Sequence, residues 1–184
     1  MRLFVAVEWS GQIRSRLFAL GGRLSDLGSV KAVEEENIHL TLRFLGEVDA
    51  ARVDEVVAAL GTVRHRRFMA SVRGLGAFPK ISRPNVIWAG IGVGSEDLVA
   101  LQGKIDDALI HLGFPPEGKF HPHLTLARVK GPLDNENLRR LIVSNESETF
   151  GESEVREFSL IGSTLTPSGP IYSKVRGFAL FNGE

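Results

Sequence analysis
The stretch Asn37-Ile38-His39-Leu40-Thr41-Leu42-Arg43-Phe44-Leu45-Gly46 contains a tetrapeptide, His39-Leu40-Thr41-Leu42, that returns as His123-Leu124-Thr125-Leu126 within His121-Pro122-His123-Leu124-Thr125-Leu126-Ala127-Arg128-Val129. The copies stand 84 positions apart, close to half of the 184 residues. Strict alternation of apolar and polar residues reads as a half-buried strand, on which positions i and i+2 share a face. Each copy therefore turns two leucines to a core and places an imidazole beside a hydroxyl on the open face. Two such strands facing each other make a pocket of two imidazoles and two hydroxyls.

The elements outside the motifs repeat in order. Leu3–Val7 reads as a buried strand and Ser10 as the cap of a helix carrying Ile13, Leu17, Leu20 and Leu24. Asp49 is expected to cap a second helix and Ser95 a third, the latter ended by Gly113 and Pro115. Phe68–Leu75 and Val86–Ile91 read as strands joined by the long loop Gly76–Pro84. Asp134 heads a short fourth helix, and Val155–Gly162 and Val175–Phe181 read as strands around Pro167-Ser168-Gly169-Pro170. The repeated order suggests one bilobal domain of pseudo-twofold halves, approximately 1–92 and 93–184, whose motif strands come to one cleft from opposite sides.

Composition bounds the function. A hydrophobic content of 43% with 24% charged residues fits a soluble globular chain. Zero formal net charge argues against gripping long nucleic acid by its phosphates, whereas a small anion needs only a local cation. The absence of cysteine removes thiol catalysis, disulfides and thiolate metal sites. The N-terminal apolar run is too short for a signal peptide, and no stretch approaches the roughly 18 apolar residues of a membrane span. A cytoplasmic, membrane-free monomer is the expectation.

Paired imidazoles suit acid–base chemistry near neutral pH, one ring accepting a proton and the other donating one. The threonine hydroxyls can hold non-bridging oxygens of a bound anion, and a guanidinium can neutralise it. By alternation Arg43 lies on the His39 face, where it is a candidate for a phosphate contact or a rim salt bridge, while Arg128 lies on the opposite face of its strand and needs a bulge or the strand's end to reach the cleft. This set matches the needs of in-line displacement at a phosphodiester, with no metal or other cofactor expected. His121 forms His-x-His with His123, a pattern that also suits a metal, but no third ligand stands out. Phe78, Trp88 and Tyr172 are candidates to stack on a base, with core packing the default for the first two. Arg64–Arg67 reads as exposed surface.

The chain resembles the two-histidine (2H) phosphoesterases, named for paired His-x-Thr-x motifs, and among them the bacterial and archaeal RNA 2′,3′-cyclic phosphodiesterases formerly described as 2′-5′ RNA ligases. The match is carried by Arg2–Ala6, His39–Gly46, Pro84–Gly90 and Pro122–Arg128. It implies a bilobal α+β fold, with two antiparallel sheets facing a central cleft and helices outside, and metal-free hydrolysis of an RNA-terminal 2′,3′-cyclic phosphate to a 2′-phosphomonoester, with His39 as proton donor, His123 as proton acceptor, and Thr41, Thr125 and Arg128 on the phosphate. Other functions compatible with these residues are reversible 2′-5′ RNA joining, hydrolysis of a different cyclic nucleotide, a non-catalytic module that binds RNA ends, and a histidine-based metal hydrolase.

Overall fold
A computed structural model describes residues 1–183. Nine strands and four helices follow in the order β1 (Arg2–Glu8), α1 (Gly11–Ser25), β2 (Gly28–Ala32), β3 (His39–Glu47), α2 (Val53–Leu60), β4 (Phe68–Lys80), β5 (Arg83–Ile91), α3 (Ser95–Ile110), β6 (His123–Leu133), α4 (Asn135–Ser144), β7 (Thr149–Val155), β8 (Glu157–Thr166) and β9 (Gly169–Ala179). The strands form one path, β7-β4-β5-β6-β3-β1-β8-β9, with β2 paired to β6, and every named pair is antiparallel. Counted from its middle the path is symmetric, and the two motif strands are its centre.

β3 and β6 meet at a single register pair, Leu40 opposite Leu124, the first leucine of each motif. The expected two sheets are thus joined into one through a seam one residue pair wide. Beyond it β6 takes β2 as its partner, Ala32 against Ala127 and Lys31 against Arg128, while β3 continues along β1. The motif strands diverge there, which opens the cleft.

Four helices cover the leucine face. Leu17 and Leu24 of α1, Val56 and Leu60 of α2, Leu98, Leu101, Ile105 and Leu109 of α3, and Leu138 of α4 join Leu40 and Leu124 in one core, all fully buried. Truncating either motif leucine to Ala costs about 2–5 kcal/mol. On the other face Phe4, Ala6 and Ile161 form a small separate cluster against Tyr172.

Local chemistry explains the ends. Ser10 Oγ accepts from the Ile13 amide and Asp134 Oδ1 from the Asn137 amide, so both caps work as the sequence suggests. Ser95 does not cap α3: Gly94 does, at φ 81°, and an added Cβ there would fall 2.4 Å from the Met69 carbonyl oxygen. Asp49 precedes a short 3-10 turn, Ala50–Arg52, that leads into α2 without a side-chain cap. The long loop expected at Gly76–Pro84 is instead the end of a tight β4–β5 hairpin. Gly76 lies opposite Trp88 in register, and a Cβ on it would sit 2.2 Å from the indole, so this glycine admits a cross-strand aromatic rather than breaking the strand.

Candidate active site
Both motif strands carry a bulge at the same motif position. Val5 pairs with Arg43 and Ala6 with Thr41, which leaves Leu42 without a partner; Ile87 pairs with Ala127 and Trp88 with Thr125, which leaves Leu126 without one. The extra residue reverses the alternation that follows it. Leu42 and Arg43 therefore both turn inward, as do Leu126 and Ala127, and Phe44 and Arg128 emerge on the open face. Of the two routes open to Arg128, the bulge is the one the strand takes.

The same device removes Arg43 from the position alternation assigns it. Arg43 is 4% exposed, on the core side of β3. Its Nε lies 3.3 Å from Asp106 Oδ1, its Nη1 3.4 Å from Glu117 Oε2, and its Nη2 donates to the Pro115 carbonyl. Gln102 Nε2 donates to the other Asp106 oxygen at 2.7 Å. Arg43 is thus a strut between β3, α3 and the segment leading to β6, not an open-face residue beside His39.

Each motif imidazole is oriented in the same way. His39 Nδ1 lies 2.7 Å from the Asn37 carbonyl oxygen and His123 Nδ1 2.7 Å from the His121 carbonyl oxygen. A carbonyl only accepts, so each Nδ1 carries a hydrogen and each Nε2 is the atom that exchanges protons. His39 Nε2 is 2.9 Å from Thr41 Oγ1, whose hydroxyl donates to the neutral ring. His39 stacks on Phe4 at 4.8 Å and meets Tyr172 edge-on at 5.3 Å. His123 meets Phe78 edge-on at 5.0 Å, and Trp88 and His121 flank it at 6.1 and 6.4 Å.

Two adjoining cavities share His39, Thr41 and Phe44. The first, about 500 Å³, adds Thr125, Arg128, Lys31, Lys130 and Tyr172; the second, about 340 Å³, adds Phe78, Lys119, His121 and His123. Burial holds both imidazoles below the ordinary value of 6.5. At His39 the Asn37 carbonyl and the Glu8 carboxylate oppose that shift, while Arg128 and His123 add to it. At His123 the His121 carbonyl opposes it, and the neighbouring His121 ring and the Arg128 guanidinium add to it. Tyr172 is held above the ordinary phenol value, chiefly by burial. Among the described residues no group of three or more His, Cys, Asp or Glu is placed to hold a metal ion.

The profile of the family described as LigT like Phosphoesterase matches residues 7–88 and, again, 91–172. The chain belongs to this family. It is 42% identical over 178 residues to a protein of Archaeoglobus fulgidus named RNA 2′,3′-cyclic phosphodiesterase, covering 97% of this chain and 99% of that one. A protein of the same name from Methanothermobacter thermautotrophicus is 37% identical over 98% of this chain and 99% of its own. Among solved structures, a Thermus thermophilus protein superposes with TM-score 0.81 at 30% identity over all of both chains. E. coli LigT complexed with 3′-AMP superposes with TM-score 0.78 at 25% identity over 97% of each.

Within this LigT-like fold the expected residues His39, Thr41, Thr125 and Arg128 line one cavity, and His123 lines the adjoining one. Sequence reasoning overlooked Phe4, Glu8, Phe44, Lys31 and Lys130. For Phe44 a signal existed: it occupies the place in the first motif that Arg128 occupies in the second. For Lys31 none did, because β2 has no apolar run. Of the stacking candidates, Phe78 and Trp88 are half-buried around His123 rather than in the core, and Tyr172 walls His39.

Proposed function
We propose that this protein hydrolyses RNA-terminal 2′,3′-cyclic phosphates to 2′-phosphomonoesters without a metal, His39 and His123 acting as the acid–base pair. The observation that carries the reading is the matched locking of two imidazoles, each with Nδ1–H on the carbonyl two residues before it, around a cleft that also holds Thr41, Thr125 and Arg128. The relatives named RNA 2′,3′-cyclic phosphodiesterase and the LigT structure with 3′-AMP support the substrate class.

In this reading Thr41, Thr125 and Arg128 hold the non-bridging oxygens. Neutral His123 takes a proton from the attacking water as oxygen bonds to phosphorus. Protonated His39 gives its proton to the 3′ oxygen as the bond from that oxygen to phosphorus breaks, and a second proton exchange resets the pair. The polarity is supported by Glu8, which favours a proton on His39 and has no such influence on His123. The two separate family matches also support reading 1–92 and 93–184 as duplicated halves, each supplying one histidine.

The test is turnover of a nucleoside 2′,3′-cyclic phosphate in excess chelator. His39→Ala and His123→Ala are each expected to lower kcat by about 10²- to 10⁴-fold with the circular dichroism spectrum unchanged. Phosphorus NMR of the product should show the 2′-monoester. Wild-type rates for either variant, or activity abolished by chelator, would overturn the reading.

A further inference from the structure
The larger cavity has a cationic wall that the chemistry at one phosphate does not use. After its bulge β6 resumes alternation: Arg128 is exposed, Val129 packs against the core and Lys130 is exposed. Arg128 and Lys130 therefore share the open face, about 7 Å apart along the strand. Lys31 lies directly opposite Arg128 in the β2–β6 register and so points to the same face. Its Nζ reaches across to the β8–β9 turn, 4.0 Å from where a Cβ on Gly169 would stand.

All three cations line the cavity that holds His39, Thr41 and Thr125. Among the described residues none of the three side chains forms an ion pair. Glu34 and Glu36, between β2 and β3, line the cavity too, which confines its positive wall to β2 and β6. Arg128 acts on both imidazoles and, in the reading above, is the cation of the reacting phosphate. Lys130 stands one residue pair further along the face, a separation comparable to one nucleotide of extended strand.

We infer that Lys130, assisted by Lys31, binds the phosphodiester one nucleotide upstream of the cyclised end, so that the favoured substrate is an oligonucleotide end rather than a mononucleoside. The inference rests on the cyclic phosphodiesterase reading above. A 2′,3′-cyclic end has only one neighbouring phosphate, on its 5′ side, so the cationic wall also fixes the direction in which the RNA leaves the cleft. The site meets few phosphates, which agrees with a chain of zero net charge.

The experiment compares kcat/KM for adenosine 2′,3′-cyclic phosphate, which lacks a 5′ phosphate, with that for the dinucleotide adenylyl-adenosine 2′,3′-cyclic phosphate. The dinucleotide is expected to be favoured at least tenfold, mainly through KM. Lys130→Ala should remove most of that preference, lower the mononucleotide rate far less than the dinucleotide rate, and lower the salt slope for the dinucleotide by roughly 0.7; Lys130→Arg should keep the preference, and Lys31→Ala should reduce it less. Equal use of the two substrates by the wild type, or an equal loss on both in Lys130→Ala, would overturn the inference. Turnover of neither would remove the underlying phosphodiesterase reading, and this inference with it.

Discussion
The two motif strands coincide for four residues and then part. His39 and His123, Leu40 and Leu124, Thr41 and Thr125, and Leu42 and Leu126 take the same faces of their two strands. After the bulge, Arg43 is matched by Ala127 and Phe44 by Arg128. Across the ladder Glu8 stands opposite His39, whereas Gly90 stands opposite His123. Gly90 has no room for a side chain, since a Cβ there would lie 2.9 Å from the Arg73 carbonyl oxygen. The matched frame thus sets an acid beside His39 alone, while the guanidinium on the other motif strand lines the His39 cavity and acts on both imidazoles. The frame presents two imidazoles, and the departures from symmetry give them different surroundings.

The largest effect expected from breaking the comparison falls on stability. Ala127 is packed among apolar groups, but its counterpart Arg43 carries a charge into the core and meets Asp106, whose side chain is 9% exposed. Removing one member of a buried pair strands the other, so Arg43→Ala should cost about 3–5 kcal/mol in urea unfolding. Arg43→Met combined with Asp106→Leu should recover most of that loss, because the buried pair itself contributes little beyond its own desolvation. A loss under about 1 kcal/mol for Arg43→Ala would mean that water reaches Asp106 and that the two strands differ less than their burial indicates.

A smaller effect is expected on catalysis. Arg128→Ala should lower kcat/KM for a cyclic phosphate about 10²-fold, the loss expected for one preorganised donor facing developing charge. Phe44→Ala should cost severalfold, since Phe44 is 56% exposed and forms part of the wall shared by the two cavities, beside Phe4 at 6.1 Å. The exchanged pair Phe44→Arg with Arg128→Phe tests the asymmetry itself. It should stay as slow as Arg128→Ala, because the guanidinium would then project from β3 rather than from β6, where Arg128 lines the cavity with Thr125. Recovery of the rate would make the two poles interchangeable.

How much of this is legible in the sequence follows from the same bulge. The duplicated His-x-Thr-x needs only alternation, which holds up to Leu42 and Leu126, so it puts the four polar motif residues on the face where the structure has them. Alternation counts every residue as paired, and one unpaired leucine reverses everything beyond it. That is why a reading that allows a bulge for Arg128 still leaves Arg43 on the open face. The β4–β5 hairpin is hidden because glycine and proline signal turns, while Gly76 serves to admit Trp88. β2 is hidden because Gly28–Ala32 buries too little to show a pattern. Lys31 and Lys130 become neighbours of Arg128 only through the β2–β6 register, which no local signal encodes.

The smallest and sharpest effect concerns protons. Burial lowers both imidazoles in the folded protein, so below about pH 6.5 the unfolded chain binds more protons than the native one, and stability falls as pH falls through that range. The poles then differ through Glu8, which pairs with Lys174 at 2.6 Å, accepts from Ser159 at 3.2 Å, and favours the His39 imidazolium. Glu8→Gln withdraws that support. Proton NMR titration should show the His39 midpoint moving to lower pH, with the Lys174 charge limiting the shift, while the His123 midpoint stays in place. The protonated fraction of the proposed donor falls with it, so kcat near neutrality should drop severalfold, and the pH limb belonging to His39 should be the one displaced. Movement of the His123 midpoint instead would put the carboxylate's influence at the wrong pole, and the donor and acceptor would have to exchange places.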